Sequence, residues 1–214
     1  MNGLFHYDSK FMQMLQTIAD YILLNVLYVL CCLPIFTIGA AQAGLYNGLR
    51  VLQDKEDDRS CLKAFFRGFR TGFGTITLVW GITTFVMAVL CYCTLVVWGF
   101  SENQIPGGKL SLVVSMAAVV VTAVYQTMLP LFHSRFACTA KQLLRNSFFV
   151  AMANPLQTLL AALILWAPAL LLLLHFPLFL QTGLMLVFLY YSVTMGLTVR
   201  LFSKAFRRLE EANS

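Results

Sequence analysis

Leu33-Pro-Ile-Phe-Thr-Ile-Gly-Ala-Ala-Gln-Ala-Gly-Leu-Tyr-Asn-Gly-Leu49 follows a fully apolar run and stops just before the first cluster of charge. Pro34 has no N–H to donate and disfavours helix at Leu33, so a kink or break is predicted there. Thr37 stands close enough to return a hydrogen bond to backbone that Pro34 leaves open. Beyond it Ala40, Gly44 and Gly48 recur at i, i+4 and i+8, with Gly39 and Ala43 on the adjoining row. Such a stripe lets another helix approach closely in lipid. Two readings follow: a kinked helix with a packing face, or a hinge that presents Thr37, Gln42 and Asn47 to a polar cavity.

Working outward, the composition fixes the class. Apolar residues make up 59% of the 214 and charged residues 11%, with a mean hydropathy of +0.77. A soluble domain carries about 25% charge, so this chain belongs in a membrane. Its net charge of +6 comes from residues that flank apolar runs. That pattern is explained by orientation in a bilayer, and no nucleic-acid partner is expected. The six cysteines form neither a disulfide framework nor a ligand set: Cys31 and Cys32 are adjacent, and Cys91 and Cys93 share an apolar run. Packed, reduced thiols are expected, with no metal and no cofactor.

The predicted fold is all-α: a polytopic membrane protein forming a single integral membrane domain over residues 1–214. Five transmembrane helices are expected at about 18–41, 73–100, 110–131, 147–174 and 178–202. Ala41-Gln42-Ala43 resembles a signal cleavage site, but the preceding run is too long for an h-region and cleavage is not expected. The fourth span is interrupted at Asn154-Pro155. Between the first two spans Asp58 or Ser60 can cap a helix in which Leu62, Phe65, Phe66 and Phe69 share one face. Lys63, Arg67 and Arg70 hold the other. This is a short amphipathic cytoplasmic helix suited to anchoring at the headgroup level, with the lipid bilayer as its partner.

Lysine and arginine set the orientation. The connection 50–70 holds six, 133–147 holds three, and the end from Arg200 holds four, against Lys10 and Lys109 on the other side. Positive residues stay cytoplasmic, so five spans give an outside N-terminus and a cytoplasmic C-terminus. If Pro34 to Leu49 doubles back, the N-terminus is inside.

No catalytic constellation is visible, and an enzyme is not expected. His6, His133 and His175 fall at different levels, and no Walker or zinc-protease motif occurs. Uncharged polar residues do recur in the spans. Thr37, Gln42, Asn47, Gln126, Asn154 and Gln157 are the candidate intramembrane cluster, supported by Thr75, Thr77, Ser192, Thr194 and Thr198. They bond helix to helix or line a cavity open to the cytoplasm.

Leu33-Pro-Ile-Phe-Thr-Ile-Gly-Ala-Ala is similar to the signature of the YesL-like bacterial membrane proteins, a domain family of unknown function. Lys63-Ala-Phe-Phe-Arg-Gly-Phe-Arg resembles that family's Phe-rich basic stretch. Leu129-Pro-Leu-Phe, Gln142-Leu-Leu-Arg-Asn-Ser and Ala153-Asn-Pro-Leu resemble its connection between third and fourth spans. The resemblance implies a multi-pass protein of the bacterial cell membrane, often encoded beside carbohydrate-uptake transporters, with no assigned activity or site residues. Two functions follow. An accessory or scaffold component, packed against a partner such as a sugar transporter subunit, requires an exposed small-residue face and no enclosed cavity. A small transporter of a neutral polar solute requires a pocket lined by the amides. A binding-protein-dependent permease subunit is not expected, because no Glu-Ala-Ala docking loop is recognisable.

Overall fold

The computed structural model describes residues 10–54, 60–102, 108–136, 138–174 and 190–213. Among them the regular elements are all helical: α1 (Lys10–Cys31), a 3-10 turn (Ile35–Thr37), α2 (Ile38–Asp54), α3 (Cys61–Arg70), α4 (Phe73–Glu102), α5 (Gly108–His133), α6 (Ala140–Ala153), α7 (Pro155–Leu174) and α8 (Tyr191–Asn213). Among the described residues three helical stretches are long and apolar enough to cross a bilayer: Phe11–Cys31, Phe73–Gly99 and Lys109–His133. The α6–α7 pair makes a fourth if counted as one span.

The expected first span, 18–41, is not one helix. α1 ends at Cys31, where the amides of Cys32 and Leu33 close back on Tyr28 and Leu30. The Thr37 hydroxyl lies 2.5 Å from the Cys31 carbonyl and 2.6 Å from that of Pro34. The Cys31 carbonyl is one of those orphaned at the helix end, which α-helical pairing cannot reach, whereas that of Pro34 also accepts from the Thr37 amide. The chain then reverses. Gln53 Nε2 lies 3.3 Å from the Tyr21 hydroxyl, and Gly48 sits against Leu24, so α1 and α2 are antiparallel. The start of α1 and the end of α2 therefore share one end of the molecule. This corrects the five-span arrangement, in which Lys10 and the 50–70 connection were opposed. Proline dictated a break, and the packing of α2 turned it into a hairpin.

α2 is the hub, touching α1, α3, α4, α5 and α8. Its small residues make this possible, because Ala40, Ala41 and Ala43 have no exposed surface and Gly39, Gly44 and Gly48 are buried beside them. Tyr46, Leu45 and Leu49 fill the remaining space with Phe65 of α3, Met128 and Leu129 of α5, and Phe202 and Phe206 of α8.

α3 occupies the expected place with Ser60 at its N-cap, although no side-chain cap bond forms there; Asp58 lies outside the described residues. Its apolar row does not all face lipid. Phe65 is fully buried against the hub, whereas Phe66 is 43% exposed and Phe69 is half-buried. Gly72, at φ +65°, turns the corner into α4, with the His133 ring where a side chain would go. α4 and α5 match their predicted spans closely, and their distal halves carry exposed apolar side chains such as Phe85, Tyr92, Leu95, Leu110 and Val113.

The fourth span also differs from expectation. α6 starts at Ala140, seven residues before the predicted Ser147, because the Thr139 amide donates to Gln142 Oε1 at 3.0 Å and opens a helix there. Pro155 then begins α7, as proline does at a first helical position, and the two axes differ by 106°. Most of the expected fifth span before α8 lies outside the described residues.

Candidate functional site

A cavity of about 340 Å³ opens where α1, α2, α4, α5, α7 and α8 converge. Gly39 is the residue that permits it. A Cβ there would fall 2.6 Å from Trp80, so glycine lets the indole lie against α2 and form one wall. Trp166 of α7, whose indole N–H donates to the Ala123 carbonyl at 3.3 Å, lies on the wall as well. Tyr28, Tyr46 and Tyr191 line it too, with the rings of Tyr28 and Tyr191 5.3 Å apart.

Two amides enter this aromatic box. Gln42 comes from α2 and sits beside the Tyr28 hydroxyl. Gln126 comes from α5 and is only 5% exposed. Its Nε2 donates to Thr84 Oγ1 at 2.6 Å, while its Oε1 is buried with no partner among the described residues. A buried acceptor without a donor is uncommon and points to a water or ligand. The volume lies at the lower end of the range of small-molecule pockets, about 300–1,000 Å³. Apolar walls with few convergent polar atoms are the usual composition of such pockets.

Of the six residues in the expected polar cluster, the cavity brings together Gln42 and Gln126. Thr37 serves the hairpin turn. Asn47 donates from Nδ2 to the Ala64 carbonyl at 2.9 Å and holds α3 on α2. Asn154 caps the end of α6 at the bend, its amide N–H bonded to the Val150 carbonyl. Gln157 is half-buried and not on the cavity wall, with an unpartnered buried Oε1. Thr194 bonds to its own helix, through the Tyr190 and Tyr191 carbonyls. The aromatic wall was missed by polarity counting. Its signal was tyrosine inside apolar runs, at Tyr28, Tyr46 and Tyr191.

The small-residue stripe is used within the chain. Gly44 faces the Phe65 carbonyl and Phe69, Gly48 faces Leu24 and the Cys61 carbonyl, and Gly68 of α3 answers against Asn47 and Ala43. An exposed small-residue face is therefore not what this surface offers.

Among the described residues no group of three or more His, Cys, Asp and Glu is placed to hold a metal ion. All six cysteines are free. Burial pushes the Cys61 thiol up, with the nearby Asp20 carboxylate adding to it, and burial raises Cys138 as well.

A family model described as a protein of unknown function, DUF624, matches residues 21–93. The match runs from α1 into α4 and takes in the Pro34 break and the Phe-rich helix; the other segments quoted above lie beyond it. No curated protein and no solved structure matches the chain.

Proposed function

We propose that this membrane protein binds a small, neutral, hydroxyl-bearing solute in the aromatic cavity, as the solute-handling component of a carbohydrate-uptake system in the bacterial cell membrane. The observation that carries the reading is Gln126, a buried glutamine with an orphaned Oε1, on the wall of a cavity lined by indole and phenol rings. Ring faces stack on the C–H faces of a sugar or polyol, and the two amides exchange hydrogen bonds with its hydroxyls. The resemblance to the YesL-like proteins supports the carbohydrate class. Transport by the chain itself, rather than an accessory role, is favoured by the cavity and by the internal use of the small-residue stripe.

In this reading the end of the molecule that carries the basic residues is cytoplasmic. Once α1 and α2 pair as a hairpin, Lys109 is the single Lys or Arg of fifteen assigned to the other side. The N-terminus is then cytoplasmic with the C-terminus. The hairpin turns back near the level of Trp80, about 10 Å along α4, so it is re-entrant while α4 and α5 cross. α3 rides at the cytoplasmic headgroup level, its exposed Phe66 and Arg70 toward lipid.

Trp80 and Trp166, two of the three tryptophans, line the cavity, so intrinsic fluorescence reports on occupancy. Titration of the purified chain with a panel of neutral sugars and polyols should give a saturable change for at least one. Gln126→Leu should abolish it. No response to any of them, or a response that survives Gln126→Leu, refutes the assignment.

A further inference from the structure

We propose that the groove between α1 and α8 seats one anionic phospholipid, with an acyl chain along its apolar walls and the phosphate against Arg200. The site is separate from the aromatic cavity and does not depend on what binds there. The groove has a volume of about 250 Å³. Ile18 and Tyr21 of α1 and Val193, Gly196, Leu197 and Arg200 of α8 line it.

The two helices run antiparallel, because the bond between Asn25 and Ser192 is followed one turn further on by Tyr21 against Gly196. Gly196 sets the depth of the groove. The Tyr21 hydroxyl and Gln53 Nε2 lie 3.1 and 3.0 Å from where its Cβ would stand, so glycine lets both reach the floor. Gln53 donates to the Gly196 carbonyl at 2.9 Å and to the Tyr21 hydroxyl at 3.3 Å. That hydroxyl accepts from Gln53 and keeps its own proton to donate.

Polarity is ordered along the groove. Arg200 is exposed and lies toward the end of the molecule that holds the start of α1. Gly196, with the Tyr21 hydroxyl, is four residues deeper, about 6 Å along the axis, and Val193 is about 10 Å from Arg200. Ile18, Val193 and Leu197 are 39%, 40% and 45% exposed, an apolar face on both sides of the groove. A phospholipid carries its groups in the same order. Its phosphate lies outermost, where a guanidinium can grip two oxygens. Its ester carbonyls come next and accept from a phenol, and its chains lie below on the apolar walls. Net negative charge is selected because a zwitterionic headgroup brings a cation of its own toward Arg200.

The test places the full chain in nanodiscs of equal parts phosphatidylglycerol and phosphatidylcholine, and native mass spectrometry counts the lipids retained on release. One phosphatidylglycerol should be held per chain in preference to phosphatidylcholine. Arg200→Gln should cut the preference about fivefold. Tyr21→Phe keeps the ring and removes the donor, and should weaken retention about threefold. Leu197→Trp fills the groove with Arg200 in place and should abolish retention. Arg70→Gln, outside the groove, should change nothing. If Arg200→Gln does not fold, Arg200→Lys keeps the charge and should keep most of the preference. Equal retention of the two lipids overturns the proposal, as does equal loss in Arg70→Gln, which means diffuse attraction. Undiminished retention in Leu197→Trp overturns it too, since the lipid then lies elsewhere. Retention that appears only after residues 2–9 are removed assigns the groove to the chain's own first segment, and a dimer that Leu197→Trp dissociates assigns it to a second copy; either result overturns the lipid.

Discussion

Gly44→Ala adds one methyl where α2 and α3 are closest. The new Cβ would lie 2.9 Å from the Phe65 carbonyl oxygen and 3.3 Å from Phe69. A backbone carbonyl cannot swing aside as a side-chain tip can. α3 must move as a body, and the Asn47–Ala64 hydrogen bond ties it to α2. Overpacking of this kind costs about 1–3 kcal/mol. Against it stands the gain of alanine over glycine in a helix, about 1 kcal/mol. The net is a loss of roughly 0–2 kcal/mol. Gly81 of α4 supplies the control, since a Cβ there meets nothing within 4 Å. Gly81→Ala keeps the propensity gain alone, so it should stabilise by up to about 1 kcal/mol. The two variants should differ by about 1–3 kcal/mol, a difference in which propensity cancels. Equilibrium unfolding in mixed micelles measures it. Equal stability of the two variants would refute the close approach of α3 to α2.

Phe65→Ala should destabilise by about 3–5 kcal/mol because the ring is fully buried, whereas Phe66→Ala, at 43% exposure, should cost less than about 1 kcal/mol in the same assay. Single cysteines replacing Lys10 and Lys55, in a background lacking the native six, should be labelled from the same face of intact cells, and one replacing Lys109 from the opposite face; opposite labelling of the first two would overturn the hairpin. Cys61, its thiol raised by burial and by Asp20, should alkylate slowly at neutral pH. A raised value means less thiolate, the reactive form, so the rate should climb as pH passes above 9 and Asp20→Asn should accelerate it at fixed pH, followed by mass spectrometry.

The membrane class, the break at Pro34, the helix at 61–70 and the limits of α4 and α5 were legible because each follows from local composition or from proline. The direction taken after Pro34 was not. A kink and a reversal share one local signature, and only the contacts of α2 with Leu24, Phe65 and Trp80 decide between them. α6 was missed because its opening signal, Thr139 with Gln142, lay in a stretch read as a basic connection. The cavity was half legible. Gln42 and Gln126 stood out as amides in apolar runs, but its rings come from five helices far apart in sequence. Neither periodicity nor spacing could assemble them. Asn47 and Asn154 looked equivalent to the two glutamines, yet Asn47 is spent on the Ala64 carbonyl of α3 and Asn154 on the end of its own helix.

The bond between Asn25 and Ser192 carries a consequence for how the protein is made. Asn25 has no exposed surface, and its Oδ1 accepts from the Ser192 amide, 167 residues later, at 3.1 Å. At about 5–20 residues per second, synthesis needs roughly 10–30 s to bring the two together. Throughout that interval α1 is already complete, carrying a polar amide that the finished bundle buries. The nascent chain must hold it in water, in the insertion machinery or against a provisional neighbour, since bare hydrocarbon offers no hydrogen bond. Chains truncated before α8 should therefore be the ones that membrane quality control removes, with Asn25→Leu sparing them.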